Sequence, residues 1–360
     1  MGSVAGVVEG VDHFQRRHKV ISVPLSVIYK FVDDQGPYLA AIITYYGFIA
    51  IFPLLLLATS ILGFLLQGNG ELQNQVLNSA LSQFPIIGDE LGRPQGLQGS
   101  RTAVVVGTVT ALYGSLGLGQ ALQNAMNTAW SVPRNSRPNP FLLRLKSLAL
   151  LVSAGAAVLA VSVFSALGSD TEVFGPRLDG TLRWGIRLVT VLLIGAGLTF
   201  LFRLAAARRL TWRQAAPGAI SVAIMWQALQ VIGTLYVTRV ITETEGTMNG
   251  TYALVLGLIG IIYVAAFMGV LGMEINVVLA RRLWPRALLT PFTDKVDLTE
   301  ADKRAYTYYA RMQRHKGFET VDVVFDDRHD GAPADPVAER NEPPTTSIFA
   351  MDPIPEDNPR

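Results

Sequence analysis

Six apolar stretches, separated by loops that alternate between arginine-rich and arginine-poor, constrain this chain more than any other feature. They run roughly through residues 38–66, 102–126, 142–167, 184–205, 219–238 and 252–280. A helix needs about 20 apolar residues to cross the ~30 Å hydrocarbon core, and each stretch supplies them. The pattern predicts an all-α polytopic membrane protein with six transmembrane helices and amphipathic helices at the interfaces. Composition agrees: 50% of residues are hydrophobic and only 16% are charged, below the charged share of an ordinary soluble chain.

The loops set the expected orientation. Arg134, Arg137, Arg144 and Lys146 follow the second stretch, Arg203, Arg208, Arg209 and Arg213 the fourth, and Arg281, Arg282 and Arg286 the sixth. Loops on the other side mix basic with acidic residues. The loop with Arg177, Arg183 and Arg187 is ambiguous by itself, and the even number of spans resolves it. Cytoplasmic loops are enriched in Lys and Arg, so both termini are expected in the cytoplasm.

Four regions follow. Residues 1–37 form a cytoplasmic segment without a signal-peptide pattern. In it Arg16, Arg17 and Lys19 precede a short helix whose Ile21, Pro24, Leu25, Ile28 and Phe31 share one side. That helix either lies on the membrane interface or packs on the protein as an amphipathic lead-in. Residues 38–285 hold the six spans. The external loop 67–100 contains a second amphipathic pattern at Leu72, Val76, Leu77, Ala80, Leu81 and Phe84, expected over the outer mouth of the bundle or on the outer leaflet. Residues 286–318 are polar and cytoplasmic, and Thr299 with Asp302 resembles a capping box opening a short helix to about Lys316. Residues 319–360 are acidic, rich in proline and poor in apolar side chains, so they are expected to be disordered and available to protein partners.

Several chemistries drop out. There is no cysteine, hence no thiolate chemistry. His13, His18, His315 and His329 all lie outside the apolar stretches, and no His/Asp group has metal-ligand spacing. No P-loop or HExxH motif is present. The serine of Tyr113-Gly114-Ser115-Leu116-Gly117 lacks both the first glycine of a nucleophile elbow and an intramembrane histidine. No enzyme activity, cofactor or nucleic-acid partner is expected.

What remains is polarity inside the membrane, where polar groups face the bundle interior or a cavity. Tyr113, Gly117, Gln120, Asn124 and Asn127 form a stripe at three- and four-residue steps. A shorter stripe holds Gln227 and Gln230 with Thr234 and Thr238. Glu274 and Asn276 close the last stretch, and Glu274 is the acid set well inside an apolar run. Glu274 is expected to face the interior and meet a donor, either a stripe amide or a cytoplasmic-end arginine such as Arg203. Pro53 is a candidate helix kink in the first stretch. Small residues such as Ala265 and Gly269 stand at the spacing of close helix contacts.

Four blocks carry a resemblance. Residues 38–64 read YLAAIITYYGFIAIFPLLLLATSILGF, residues 121–133 ALQNAMNTAWSVP, residues 212–226 WRQAAPGAISVAIMW, and residues 271–276 LGMEIN. In this order they resemble the YihY/BrkB family over about residues 20–285. Two features depart from the family pattern: an aromatic-rich block is degraded at residues 249–265, and a proline before the PGA block is missing. The resemblance implies a six-helix bacterial inner-membrane protein linked to envelope integrity, with transport of lipid or small osmolytes proposed for relatives. A ribonuclease label once given to relatives conflicts with the missing His/Asp metal cluster. Two functions are therefore carried forward. One is a transporter or lipid translocase in which Gln120, Asn124, Asn127, Gln227, Gln230, Glu274 and Asn276 line a polar path. The other is a non-transporting scaffold in which these residues tie helices together.

Overall fold

The computed structural model describes the backbone of residues 2–65, 101–169, 180–236, 248–288, 290 and 296–325. Side chains are described for residues 10–51, 113–161, 185, 188–230, 255–288, 290 and 296–325. Residues 67–100, where an amphipathic helix is expected, and most of the acidic tail lie outside these residues, as does the Pro53 side chain.

Among the described residues the regular structure is helical. α1 (Gly2–Arg17) and α2 (Lys19–Asp33) lead into α3 (Gly36–Leu65), whose helical backbone runs through Pro53. Then follow α4 (Arg101–Ala129), α5 (Pro140–Ser169), α6 (Gly180–Ala205), α7 (Trp212–Tyr236), α8 (Met248–Arg281) and α9 (Glu300–Met312). The shortest of the six long helices, α7, has 25 residues, about 37 Å at ~1.5 Å per residue. Three apolar windows among the described residues are long enough to cross a membrane: Pro140–Val161 in α5, Leu188–Ala205 in α6 and Val255–Arg281 in α8.

The six long helices close into a ring. Each packs on its neighbours in sequence from α3 to α8, and α8 returns to α3. α4 also touches α6 and α8. The apolar pattern is turned outward, as a lipid-facing surface requires. Leu142, Leu145, Leu148 and Val152 of α5, Leu188 and Leu192 of α6, Ile224 of α7 and Leu256 of α8 are exposed. The interior holds Ala125, Met126, Trp130, Ala215, Ala219, Val270, Met273 and Val277. Small interior side chains let backbones approach. The tightest approach is α7 on α8, where a Cβ added to Gly218 would lie 1.9 Å from the Gly272 carbonyl oxygen. The Ala265–Gly269 spacing marks no such contact, since a Cβ at Gly269 would meet nothing within 4 Å.

Contacts across the chain gather the arginine-rich segments at one end of the ring. Lys146 Nζ donates to the Ala206 carbonyl at 2.5 Å, Arg281 Nη2 to the Trp130 carbonyl at 2.5 Å, and the Asn135 amide to the Arg314 carbonyl at 3.2 Å. α1 joins the same end, with Gln15 Nε2 donating to the Arg286 carbonyl at 2.7 Å and Asp12 accepting from the Leu288 amide at 2.8 Å.

α2 turns most of the apolar side read from its sequence away from the protein. Its buried residues are Ser22, Ser26, Val27, Tyr29, Lys30 and Phe31, packed against α8, while Val20, Ile21, Ile28 and Val32 are exposed. Of the apolar set Phe31 is buried, Leu25 is half-buried, and Ile21, Pro24 and Ile28 are exposed. Ser22, Ser26 and Lys30 face the protein together with Val27, Tyr29 and Phe31. α9 forms with the expected capping box: the Thr299 hydroxyl accepts from the Asp302 amide, and Asp302 accepts from the Thr299 amide. It ends at Met312, one turn before Lys316.

Candidate functional site

Glu274 sits in α8 and is fully buried, as expected of an acid within an apolar run. Its donor is neither a stripe amide nor Arg203. Lys30 of α2 places its Nζ 3.3 Å from Glu274 Oε2 and 2.5 Å from Asp34 Oδ2. Arg203 is engaged elsewhere: its Nε donates to the Leu210 carbonyl at 2.9 Å and its guanidinium stacks 4.2 Å over Trp212. The local reason is helical spacing. Lys30 and Asp34 are four residues apart at the end of α2, so they pair along one face, and that face is pressed against α8.

Exposure of Lys30 is 1%, of Asp34 5% and of Glu274 0%. Fully ionised, the trio carries one net negative charge. Neither Glu274 oxygen accepts an aligned hydrogen bond, so the Lys30 contact is ionic only. Tyr309 of α9 covers the cation, its ring centroid 5.1 Å from Nζ. Burial works against the charged lysine, but Glu274 and Asp34 outweigh it and hold Lys30 above its ordinary pKa. Burial also pushes the Tyr309 hydroxyl well above its ordinary value, with Asp34, Asp33 and Glu274 adding to it.

A second charged group lies beside the first. Buried Arg286 donates from Nε to Asp302 Oδ1 at 2.6 Å and from Nη1 to Asp33 Oδ2 at 2.7 Å. Asp302 Oδ2 accepts three more bonds, from the Ala287 amide (2.9 Å), the Thr299 amide (3.0 Å) and the Thr299 hydroxyl (2.8 Å). Burial disfavours the guanidinium charge, but Asp33 and Asp302 more than offset it, and its pKa is raised.

The amides predicted for a polar path are placed as follows. Asn127 is buried and accepts from the Ala207 amide at 3.1 Å, holding the α6–α7 loop on α4. Asn276 is buried; its Oδ1 accepts from the Gly218 amide at 2.7 Å, and its Nδ2 finds no acceptor. Pro217 precedes that amide inside α7, so Asn276 bonds the backbone where proline disturbs the helix. Gln120, Gln227 and Gln230 are half-buried. Asn124 is exposed, with its Oδ1 accepting from Arg137 at 3.2 Å, and Tyr113 is also exposed. Gln123, one residue off the stripe, is the buried amide facing α5. It donates to the Ser147 hydroxyl at 2.9 Å and to the Leu143 carbonyl at 3.1 Å. The Lys30 partnership had one signal in the sequence, a lone cation in the apolar half of α2. No group of three or more His, Cys, Asp or Glu side chains among the described residues could hold a metal ion.

Comparison with curated proteins and with solved structures gives no match. The family model described as Virulence factor BrkB matches residues 27–293. The matched span runs from α2 through the ring to the segment after α8, and so includes Lys30, Asp34, Glu274 and Arg286. It covers well over half of the chain, and the protein belongs to the BrkB virulence-factor family.

Proposed function

We propose that the protein is a six-span protein of the bacterial plasma membrane that moves a lipid or a small solute across the bilayer, with both termini in the cytoplasm. The observation that carries this reading is the buried Lys30–Asp34–Glu274 trio, built partly on an apolar span. Ionisable groups at such depth are costly and mark pathways or proton relays. This trio has two acids for one base, and one acid lacks hydrogen bonds. Taking up one proton or one cation would neutralise it, which suits a site that loads and unloads.

The wider reading has its own supports. α3, α4 and α7 complete a ring with the three apolar spans and have the length to cross with them. Clustering of the arginine-rich segments at one end supports a cytoplasmic face there. The outward Val20, Ile21, Ile28 and Phe14 support α1 and α2 lying in the membrane interface. Gln120, Asn124, Asn127, Gln227, Gln230 and Asn276 would line the remaining path, and Pro53 would bend its wall.

A scaffold is the second reading, favoured by Gln123, Asn127 and Asn276, whose hydrogen bonds tie helices and loops together. Reconstitution separates the two. Liposomes holding the purified protein and a fluorescent phospholipid are assayed for lipid scrambling, and parallel liposomes for osmolyte flux, between pH 6 and 8. Transport with a pH dependence that Glu274→Gln abolishes is expected. Neither scrambling nor flux above protein-free liposomes would leave the scaffold.

A further inference from the structure

Two arginines that make no ion pair among the described residues flank a cleft at the arginine-rich end of the ring. The cleft has a volume of about 390 Å³ and is lined by Trp130 and Ser131 at the end of α4, Ser136 beyond it, Arg208 in the α6–α7 loop, and Arg281 at the end of α8. That volume falls within the range of small-ligand sites. No acidic residue is among its lining residues. We propose that this cleft binds a phosphate group, carried either by a membrane-lipid headgroup or by a soluble anion. The site goes beyond the transport reading and does not depend on it, because a scaffold could hold it equally well.

The arginines are oriented by aromatic rings rather than by carboxylates. Arg208 lies 4.7 Å over the Trp130 ring. Arg281 lies 3.9 Å over Tyr308 and 5.7 Å from Trp130. Neither makes an ion pair among the described residues, whereas buried Lys30 and Arg286 each meet two acids. A stacked guanidinium keeps free N–H edges in a fixed plane, the geometry that phosphate oxygens accept. Trp130 lines the cleft, and its indole N–H is buried without an acceptor.

The seat is held in shape. Asn127 Oδ1 binds the Ala207 amide and Lys146 the Ala206 carbonyl, fixing the loop that carries Arg208. α4 ends with the Val132 amide bonded to the Asn127 carbonyl and the Ser131 amide to the Thr128 carbonyl. This is a Schellman closure, with Ser131 at φ 45° where glycine is usual. α8 closes in the same way through the Leu283 amide and the Val278 carbonyl, with Arg282 at φ 52°. Left-handed non-glycine residues are disfavoured and concentrate at functional sites. Each helix C-terminus brings roughly half a negative charge. Arg281 answers that of α4 directly by donating to the Trp130 carbonyl, and the two full positive charges exceed both.

The test uses the full chain in detergent. Sodium phosphate and, separately, dihexanoyl phosphatidic acid are titrated by calorimetry at constant ionic strength, into wild type, Arg208→Gln, Arg281→Gln and Arg209→Gln. Arg209 is an exposed neighbour outside the cleft. Losing Arg208 or Arg281 is expected to weaken binding about tenfold or more, and Arg209→Gln to leave it unchanged. Arg208 is exposed, so its variant keeps the test valid if Arg281→Gln fails to fold. Binding of both probes identifies the phosphate group itself; binding of the lipid alone identifies a headgroup site, and of phosphate alone a soluble-anion site. No binding of either probe, or equal weakening by Arg209→Gln, overturns the proposal.

Discussion

The two buried charge groups at the α2–α8–α9 junction have the same inventory and differ in how their carboxylates are satisfied. Each sets one cation between two carboxylates, and Asp33 and Asp34 place them one residue apart. Around Arg286 every carboxylate has directional donors, and Asp302 accepts from three groups besides the arginine. Around Lys30 the ammonium serves two acids, and neither Glu274 oxygen accepts a hydrogen bond. The Arg286 group leaves only the cation's Nη2 unpaired; carboxylates with their donors in place fix a structure, whereas a buried carboxylate short of donors is poised to change its charge. The Arg286 group therefore ties the segment after α8 to α2 and α9, and the Lys30 group is the one suited to work.

Removing the shared cation gives the largest expected effect. Lys30→Met strands Asp34 and Glu274 as buried anions, and breaking such a group costs about 3–5 kcal/mol. The loss should shrink at low pH, where the stranded acids are relieved by protonation. Thermal unfolding in detergent at pH 7.5 and pH 5 measures both. An Lys30→Met protein as stable as wild type at pH 7.5 would mean that the trio is not ionised as drawn.

How much of this could be read in the sequence depends on how local each feature is. The helical class, three of the six apolar windows and the capping box at Thr299 are set by neighbouring residues, and they appear where expected. The interior position of Glu274 was legible because an acid in an apolar run has few other places to go. Its partner was not. Lys30 lies 244 positions upstream, on a helix whose apolar side left both the membrane interface and the protein open as its cover, because periodicity alone cannot tell lipid from protein core. The stripe on α4 marked Asn127 but missed Gln123, since the three- and four-residue steps were anchored on Tyr113 and Asn124, both exposed. The phosphate cleft draws on three separated segments, which no local pattern joins.

The comparison sharpens when one acid is removed from each group. Asp302→Asn deletes the charge and also an oxygen that accepts from Ala287 and Thr299, undoing the cap of α9 and leaving amides unpaired. A loss of about 2–3 kcal/mol is expected by thermal or denaturant unfolding. Glu274→Gln leaves Lys30 paired with Asp34 and removes the surplus negative charge. Its stability should stay within about 1 kcal/mol of wild type. Equal losses in the two variants would erase the distinction between a tie and a working site.

The smallest effect is expected farthest from both groups. Truncation after Gly317 removes Glu319, whose Oε2 accepts from the His315 amide at 2.6 Å and the Lys316 amide at 3.1 Å. Those amides hold the Glu319 pKa below its ordinary value. A depressed carboxylate contributes above its unfolded pKa and loses that contribution as pH falls through the folded one, so whatever Glu319 adds is present at pH 7. Glu319 is nevertheless only half-buried, and water can take its place at both amides. The apolar residues that follow bury little: Phe318 is 90% exposed and Val324 92%. The truncated protein should therefore melt within about 2 °C of the full chain. A larger drop at pH 7, absent in a Glu319→Gln protein, would locate a stabilising contact in the acidic segment itself and give the tail a place in the folded structure.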